Sequence, residues 1–391
     1  MGKTAGVLSA FRSRTHSRGA TSFVVAVSML IIAGLSALAV DYAFLRHRRG
    51  VLAAAAERGA LAGAAMLVKL GDEPGAVRDA TVRAAQAALG RTDSPELTVR
   101  ASDVVFLKDG KVDAHDPNQV EVTAGLTQAR GNPIDLFLGG IFGQPHAEAT
   151  ARARACLYCA KTSGGLGPLA LPAGFSWNDA CDPQPDRCGN GKLDLASPCE
   201  TASIQVAGYG PEDVGRRVEL SPAQSGELSA GSTFAVWGRE TAGGKAAPSA
   251  SESDESGFFA ALGDSLDAAG GQQAAQALRE LARQRMRLDP GAYWDEAAKA
   301  VRGSRFAALG DSPRTVRMIF FDPAAYGGPE VRQVRVWRLG AAFVENVDED
   351  GTVGVRLVRA LANGSQHAKA DCDPAGVALV GVELMGGSQA E

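Results

Sequence analysis

The chain has 391 residues with a formal net charge of −4; 45% are hydrophobic and 21% charged. That length and apolar content exclude a wholly disordered chain and allow one large or two ordinary domains, and the charge gives no reason to expect a nucleic-acid partner. The apolar content rests on small residues, 70 alanines beside 47 glycines against 6% aromatics, so a single dense aromatic core is not expected.

The charge is unevenly spread. Residues 1–50 hold seven basic side chains (Lys3, Arg12, Arg14, Arg18, Arg46, Arg48, Arg49) and one acid, Asp41, a balance of +6, which leaves −10 for the remaining 341 residues. All six cysteines lie beyond residue 155. A basic, cysteine-free head and an acidic, cysteine-bearing body suggest two compartments.

Between Gly19 and Val40, 22 residues pass without a charge. About 20 helical residues cross a bilayer core, so the segment predicts a transmembrane helix. It is too long for the apolar region of a cleaved secretory signal, and it leads straight into Asp41, Arg46, Arg48 and Arg49. Basic residues near the span tie at four on each side (Lys3, Arg12, Arg14 and Arg18 against Arg46, Arg48, Arg49 and Arg58), so charge alone does not orient it. Clustered cysteines favour an oxidising space for the body. The helix is expected to continue to about Leu70, because residues 51–70 are alanine-rich and no proline precedes Pro74. At 1.5 Å per residue its length is about 75 Å. Small residues at 56, 60 and 64, and at 59 and 63, form a stripe that would admit another backbone closely, although alanine-rich helices also carry such stripes by chance.

These residues carry a resemblance. Arg18-Gly19-Ala20 opening an apolar helix, Ala39-Val40-Asp41 closing it, and Leu52-Ala-Ala-Ala-Ala-Glu-Arg-Gly-Ala-Leu-Ala-Gly-Ala64 in ungapped register resemble the Tad (tight adherence, Flp) pilus-assembly proteins of the TadE/TadG-like group. Ala53 and Ala54 stand where the family has Gln-Asn, and Glu57 where it has Asp. Asn132–Ile141 and His146–Arg154 are similar to the short helix and closing strand of the family's N-terminal region, and Gly164–Pro172 to the segment after them. The resemblance implies an inner-membrane helix with a cytoplasmic N-terminus and a periplasmic body. It also implies contacts with other pilus-assembly or pilin-like proteins through Gly19, Asp41, Leu52, Ala56, Glu57, Ala60, Leu61, Ala62, Gly63 and Ala64. Gly19 after a basic leader resembles a prepilin cleavage point. The fifth residue beyond it is Val24 rather than Glu, so an uncleaved anchor is expected.

Further along, residues 75–90 predict a short helix, Leu97–Leu107 and Gln119–Leu126 two strands joined by a polar turn, 134–141 a helix and 146–155 a strand. Residues 156–200 hold Cys156, Cys159, Cys181, Cys188 and Cys199 among many Pro, Gly and Asp, with Cys372 near the end. Cys156-Leu-Tyr-Cys159 has zinc-ligand spacing but lacks a second matching pair, so a disulfide-stapled loop is preferred. The Cys188–Cys199 pairing is favoured only because Cys188–Glu200 resembles half of a short Cys-rich repeat of secreted bacterial proteins. The same stretch half-matches a calcium loop: Asn190 and Gly191 fit it, but Cys188 and Ser197 replace ligands. Residues 241–256 read as an exposed linker. Gln272–Arg287 predicts an amphipathic helix on Ala275, Leu278, Leu281, Ala282 and Met286, and Tyr293–Val301 another. Thr315–Phe321, Val331–Leu339 and Thr352–Leu361 read as strands, the last two a hairpin across Asp348-Glu-Asp-Gly351.

Gly263-Asp264-Ser265-Leu266 spells an esterase signature, but no Asp-x-x-His follows it, and Gly310-Asp-Ser312 repeats the tripeptide. No catalytic residue, metal, cofactor or small-molecule substrate is therefore expected. The expected fold class is α+β: a long N-terminal transmembrane helix extended into a stalk, then a pilin-like small α/β unit and a β-rich periplasmic body. Its divisions are a basic cytoplasmic leader (1–19), the helix and its extension (20–70), the small α/β unit (71–155), a Cys-rich and linker region (156–256) and a C-terminal α+β domain (257–391). The expected function is non-enzymatic membership of a Tad/Flp-type pilus assembly or related secretion system. The alternative is a membrane-anchored periplasmic or surface binding protein that uses a Tad-like anchor.

Overall fold

One helix, α1 (Ser17–Leu70), carries the uncharged segment into the body without a break. No proline interrupts it, and alanine dominates its second half. The computed structural model describes residues 17–70, 73–89, 99–181, 188–237, 257–306, 312–325, 330–348, 352–364, 373–386 and 389–390. The expected linker 241–256 and Cys372 lie outside them.

α2 (Pro74–Leu89) turns back beside α1 and buries Val77, Thr81, Ala85 and Leu89, one residue per turn. Its proline takes the first helical position, where a missing N–H leaves no bond unmade. Then follow β1 (Val104–Lys108), β2 (Lys111–Val112), β3 (Gln119–Leu126), β4 (Ile134–Asp135), β5 (His146–Ala147) and β6 (Ala149–Cys159). β6 shows how the sheet meets the helix. Ala149, Ala151, Ala153 and Ala155 are buried on one face, while Arg152 and Arg154 on the other face pair with Glu121 at 3.6 and 2.7 Å. The period of two puts every alanine toward α1, and the short side chains let the strand and the equally small-sided helix approach closely.

The body follows with β7 (Thr162–Leu166), β8 (Leu169–Pro172), β9 (Phe175–Ser176), β10 (Leu193–Asp194), α3 (Pro198–Ala202), β11 (Gln205–Val206), β12 (Arg217–Pro222), β13 (Glu227–Leu228) and β14 (Ser232–Trp237). It continues through β15 (Phe258–Ala261), β16 (Ser265–Ala269), α4 (Gly271–Leu288), β17 (Tyr293–Asp295), β18 (Ala300–Arg302), β19 (Thr315–Phe321), β20 (Gln333–Val347) and β21 (Val353–Val358). The chain ends with β22 (Ala360–Leu361), β23 (Leu379–Leu384) and β24 (Gln389–Ala390).

Two large sheets result. The first runs β2-β1-β3-β6-β23-β22, with β24 also on β6, and α1 and α2 cover its inner face. The second runs β12-β21-β20-β16-β14-β8-β19, and extra β12–β14 and β19–β20 pairings close it on itself. Phe321, Phe343, Leu266 and Leu339 fill one side of this closed sheet. On the other side α4 lays Leu278, Leu281 and Ala282 on Met318, Phe320 and Val355.

Several expectations need correction. The helix expected over 134–141 is β4 followed by a 3₁₀ turn at Gly139–Phe142. Gly139 and Gly140 disfavour a helix there, and the backbone amides of Phe137 and Leu138 donate to Asp41 of α1 instead. The helix expected over Tyr293–Val301 is the β17–β18 hairpin. Asp295 Oδ1 accepts from the amides of Ala297 and Ala298 at 2.9 and 3.1 Å, a side-chain turn that competes with helix. Residues 162–237, expected within a Cys-rich and linker region, supply β8, β12 and β14 to the closed sheet. Their Pro, Gly and Ser content conceals strands only four to six residues long. β23 and β24, expected in a separate C-terminal domain, return to complete the first sheet beside β6.

Candidate functional site

The two halves of α1 live in different surroundings. From Phe23 to Val40 the large side chains are bare, with Phe23 72%, Leu30 74% and Leu35 63% exposed. The most apolar window has a mean hydropathy of 2.6 and none of it is buried. A core helix of that hydropathy would be covered by its own protein; this one has the length and composition to cross a bilayer. From Leu52 onward the helix sinks into the fold, and Leu52, Ala56, Ala60 and Ala64 are at most 1% exposed.

Asp41 stands at the change. It is buried, one residue past the apolar run. Its Oδ1 accepts from the Phe137 amide at 2.9 Å and its Oδ2 from the Leu138 amide at 3.1 Å. A carboxylate taking two backbone donors makes charge-assisted bonds, about twice as strong as neutral ones. One turn on, the Phe44 ring meets Phe137 edge-on with centroids 6.2 Å apart, and Arg48 lies over Phe44 at 4.9 Å. The sequence singled out Asp41; the segment it holds could not be read from spacing, because the partners are 96 and 97 residues away.

The small-residue stripe expected to receive another protein is filled by this chain. A Cβ on Gly63 would lie 2.5 Å from Thr81 Oγ1 and 2.8 Å from Val120 Cγ1; one on Gly59 would lie 2.9 Å from Ala85 Cβ. Ala56, Ala60 and Ala64 share the core with Val77, Ala85, Val120 and Val122. The physical reason is the stripe's own property: it admits a backbone closely, and α2 and β3 are the nearest to hand. Glu57, Leu61 and Ala62 are half-buried, with Leu61 packed against the same core. Gly19 lies in the first turn of α1. Thr81 was missed as a packing residue; the four-residue spacing of Thr81 and Ala85 on α2 was the available signal.

The cysteines also correct the expectations. Cys181 pairs with Cys199, their Cα atoms 6.0 Å apart, and Cys188 is a free thiol, so the Cys188–Cys199 pairing does not form. Cys188 instead sits in a turn whose Gly189 and Gly191 amides bond to Asp179. Cys159 is disulfide-bonded and Cys156 is free. Both lie on β6, where residues three apart face opposite sides, so they cannot close on one zinc ion. Burial, with help from Glu383, pushes the Cys156 thiol above its ordinary pKa.

Ser265 opens β16, where its hydroxyl donates to Gln333 Oε1 at 3.2 Å. Asp264 before it accepts from the Ala261 amide in a turn that Gly263 enters at φ +86°. The second tripeptide behaves differently. Ser312 is buried and donates to Asp289 Oδ2 at 2.6 Å, as does Ser304. Arg314 is 3% exposed and donates to the carbonyls of Val344, Ala292 and Glu345 at 2.8, 2.6 and 2.7 Å. Burial alone would raise the Asp289 carboxyl, but the two hydroxyls, the Arg305 amide and the Arg314 charge together hold it below the ordinary value. This network pins the β17–β18 hairpin to the closed sheet. Near it, where α1 ends, a cavity of about 290 Å³ is lined by Lys69, Leu70, Trp294, Lys299, Arg302 and Arg359 among others. Among the described residues, no group of three or more His, Cys, Asp or Glu is placed to hold a metal ion.

In comparisons with known proteins, no family model, no characterised protein and no solved structure matches the chain.

Proposed function

We propose that this chain is a single-pass, non-enzymatic component of a Tad/Flp-type pilus assembly or related secretion system. In this reading its N-terminus is cytoplasmic, its body periplasmic, and the unit of α1, α2 and the first sheet pilin-like. The supporting observation is the division of α1: a bare apolar half of membrane length continues, in one unbroken helix, into a half that forms the spine of a folded body. Such a helix transmits position rigidly from bilayer to body. The motif residues that resemble the TadE/TadG-like group serve this architecture, with Asp41 at the border and Leu52–Ala64 in the spine. With the stripe occupied internally, contacts to other assembly proteins fall to the bare helix and the outer surface of the body.

Deleting the chain in its own host should abolish surface pili; normal piliation would overturn the proposal. Replacing residues 23–40 with an unrelated apolar span of equal length should also impair piliation if that half packs on partner helices. Mass spectrometry of the native N-terminus should find Gly19 uncleaved. The second reading, an anchored binding protein, draws support from the cavity at the end of α1, where Lys69, Lys299 and Arg359 line the wall beside Arg302, itself paired with Glu73. It predicts intact pili on deletion and calorimetric binding of small anions by the full chain in detergent.

A further inference from the structure

We propose that the segment Asn132–His146 is a second membrane contact, a rigid wedge whose tip, led by Phe137, enters the headgroup and acyl boundary of the leaflet facing the body. The inference rests on α1 crossing the bilayer.

The segment reads Asn-Pro-Ile-Asp-Leu-Phe-Leu-Gly-Gly-Ile-Phe-Gly-Gln-Pro-His, an apolar stretch with one acid inside it. In a water-facing loop such a composition calls for burial, yet Phe137 is 77% exposed, among the most exposed aromatic side chains of the body. The loop is not loosely hung. β4 and β5 close its base through Ile134–Ala147 and Asp135–His146 pairing, and His146 Nδ1 lies 2.7 Å from Asp135 Oδ1. Inside it, the Leu136 amide donates to Pro145 O at 2.9 Å and the Gln144 amide to Gly139 O at 2.8 Å. Beyond its edge contact with Phe44, a held phenylalanine this exposed calls for a further apolar neighbour, and its place in the fold says which one.

Position along α1 fixes the depth. The uncharged run ends at Val40, so Asp41 stands at the border of the hydrocarbon core, and it is Asp41 that holds the Phe137 and Leu138 amides. Residues 37, 41 and 44 share one face of the helix. On that face Asp41 and Phe44 meet the loop. Ala37 is only 8% exposed, whereas Leu35, Leu38 and Val40 around it are 63%, 63% and 55% exposed. The covered face of α1 thus reaches a full turn below Asp41, into the apolar run. Tyr42, 60% exposed, stands at the same level, and aromatic residues concentrate there because a ring suits the mixed polarity of the interface. Just above lie Arg46, Arg48 and Arg49, a positive collar matched to anionic lipid headgroups. A second contact beside the span would fix the rotation of α1 about its axis and hold the body at one tilt, which a single helix cannot do.

The test places a photoreactive benzoylphenylalanine at one position at a time in the full chain, reconstituted alone in vesicles of phosphatidylethanolamine and phosphatidylglycerol. After irradiation, lipid adducts are read by mass spectrometry. Position 30 reports the span, and position 259, an exposed phenylalanine on β15 against β7, reports the surface of the body. Adducts at 30 and 137 but not at 259 are the expected result. Adducts at 30 without any at 137, or crosslinks from 137 only to a second copy of the chain, would overturn the wedge while leaving the span intact. An absence of adducts at 30 would remove the spanning reading and the wedge with it. Asp41→Ala, in a chain whose body still unfolds cooperatively, should lose the adducts at 137 and keep those at 30; adducts retained at 137 would overturn the clamp.

Discussion

The bare and the buried half of α1 share small residues but lie in two different surroundings. Both are rich in Ala, Gly and Leu, and neither has a proline. In the first half the large side chains point outward all round, and nothing lies within 4 Å of where a Cβ on Gly34 would sit. In the second, Gly59 and Gly63 have neighbours at less than 3 Å, and alanines fill a core shared with α2 and β3. Alanine and glycine content alone does not distinguish the bare half from the close-packed spine, although the spine also carries Glu57, Arg58 and Lys69. What separates them is whether the rest of the chain comes back to cover the helix, and that cover begins on the face of Ala37 and Asp41.

The comparison breaks most directly at leucine. Leu52→Ala should cost about 2–5 kcal/mol, because it removes a side chain that is 1% exposed and leaves a cavity. Leu35→Ala, at a position 63% exposed, should leave the body's unfolding midpoint unchanged. Urea unfolding of the full chain in detergent, followed by tryptophan fluorescence, measures both. An equal loss from each would erase the distinction. Glycine sharpens it in the opposite sense. Gly63→Val should destabilise by about 1–3 kcal/mol through overpacking against Thr81 and Val120, while Gly34→Val should be silent in the same assay.

At the border, Asp41→Ala leaves two backbone donors without their acceptor, a loss of about 1–3 kcal/mol. The effect should be local, seen as faster hydrogen exchange at 137 and 138 with β6 amides still protected; uniform loss of protection would mean that Asp41 supports the whole unit. The smallest effect belongs to the closed sheet. The folded protein holds the Asp289 carboxyl below its ordinary pKa of 3.8, so its contribution is present above that value and is lost as pH falls through the lowered folded one. Acid unfolding should therefore show a slope below about pH 4 that Asp289→Asn removes. Leu52→Ala should leave that slope in place.

Much of α1 was legible because long apolar periodicity and the absence of proline are local facts, and Gln119–Leu126 and Thr315–Phe321 were legible for the same kind of reason. The wrongly assigned elements share a different cause. At 134–141 and at Tyr293–Val301 a single aspartate, Asp41 from a distance and Asp295 from within, takes amides that a helix would have used. The short strands between 162 and 237 carry too few residues for a pattern, and they form because neighbours distant in sequence supply their ladders. The disulfide went to Cys181 rather than Cys188 because pairing depends on where two backbones meet, which spacing does not encode.

For the candidate site the division is the same. Sequence by itself determined that an uncharged span ends at Asp41, that a small-sided helix continues past it, and that these residues form a unit, since each statement concerns neighbours along one helix. Tertiary structure decided what faces them. It turned the stripe inward onto Thr81, Ala85 and Val120, and it brought Phe137 to Asp41 across 96 residues. A close-packing surface and a buried carboxylate both need partners, and the identity of a partner is fixed by the path of the chain in space.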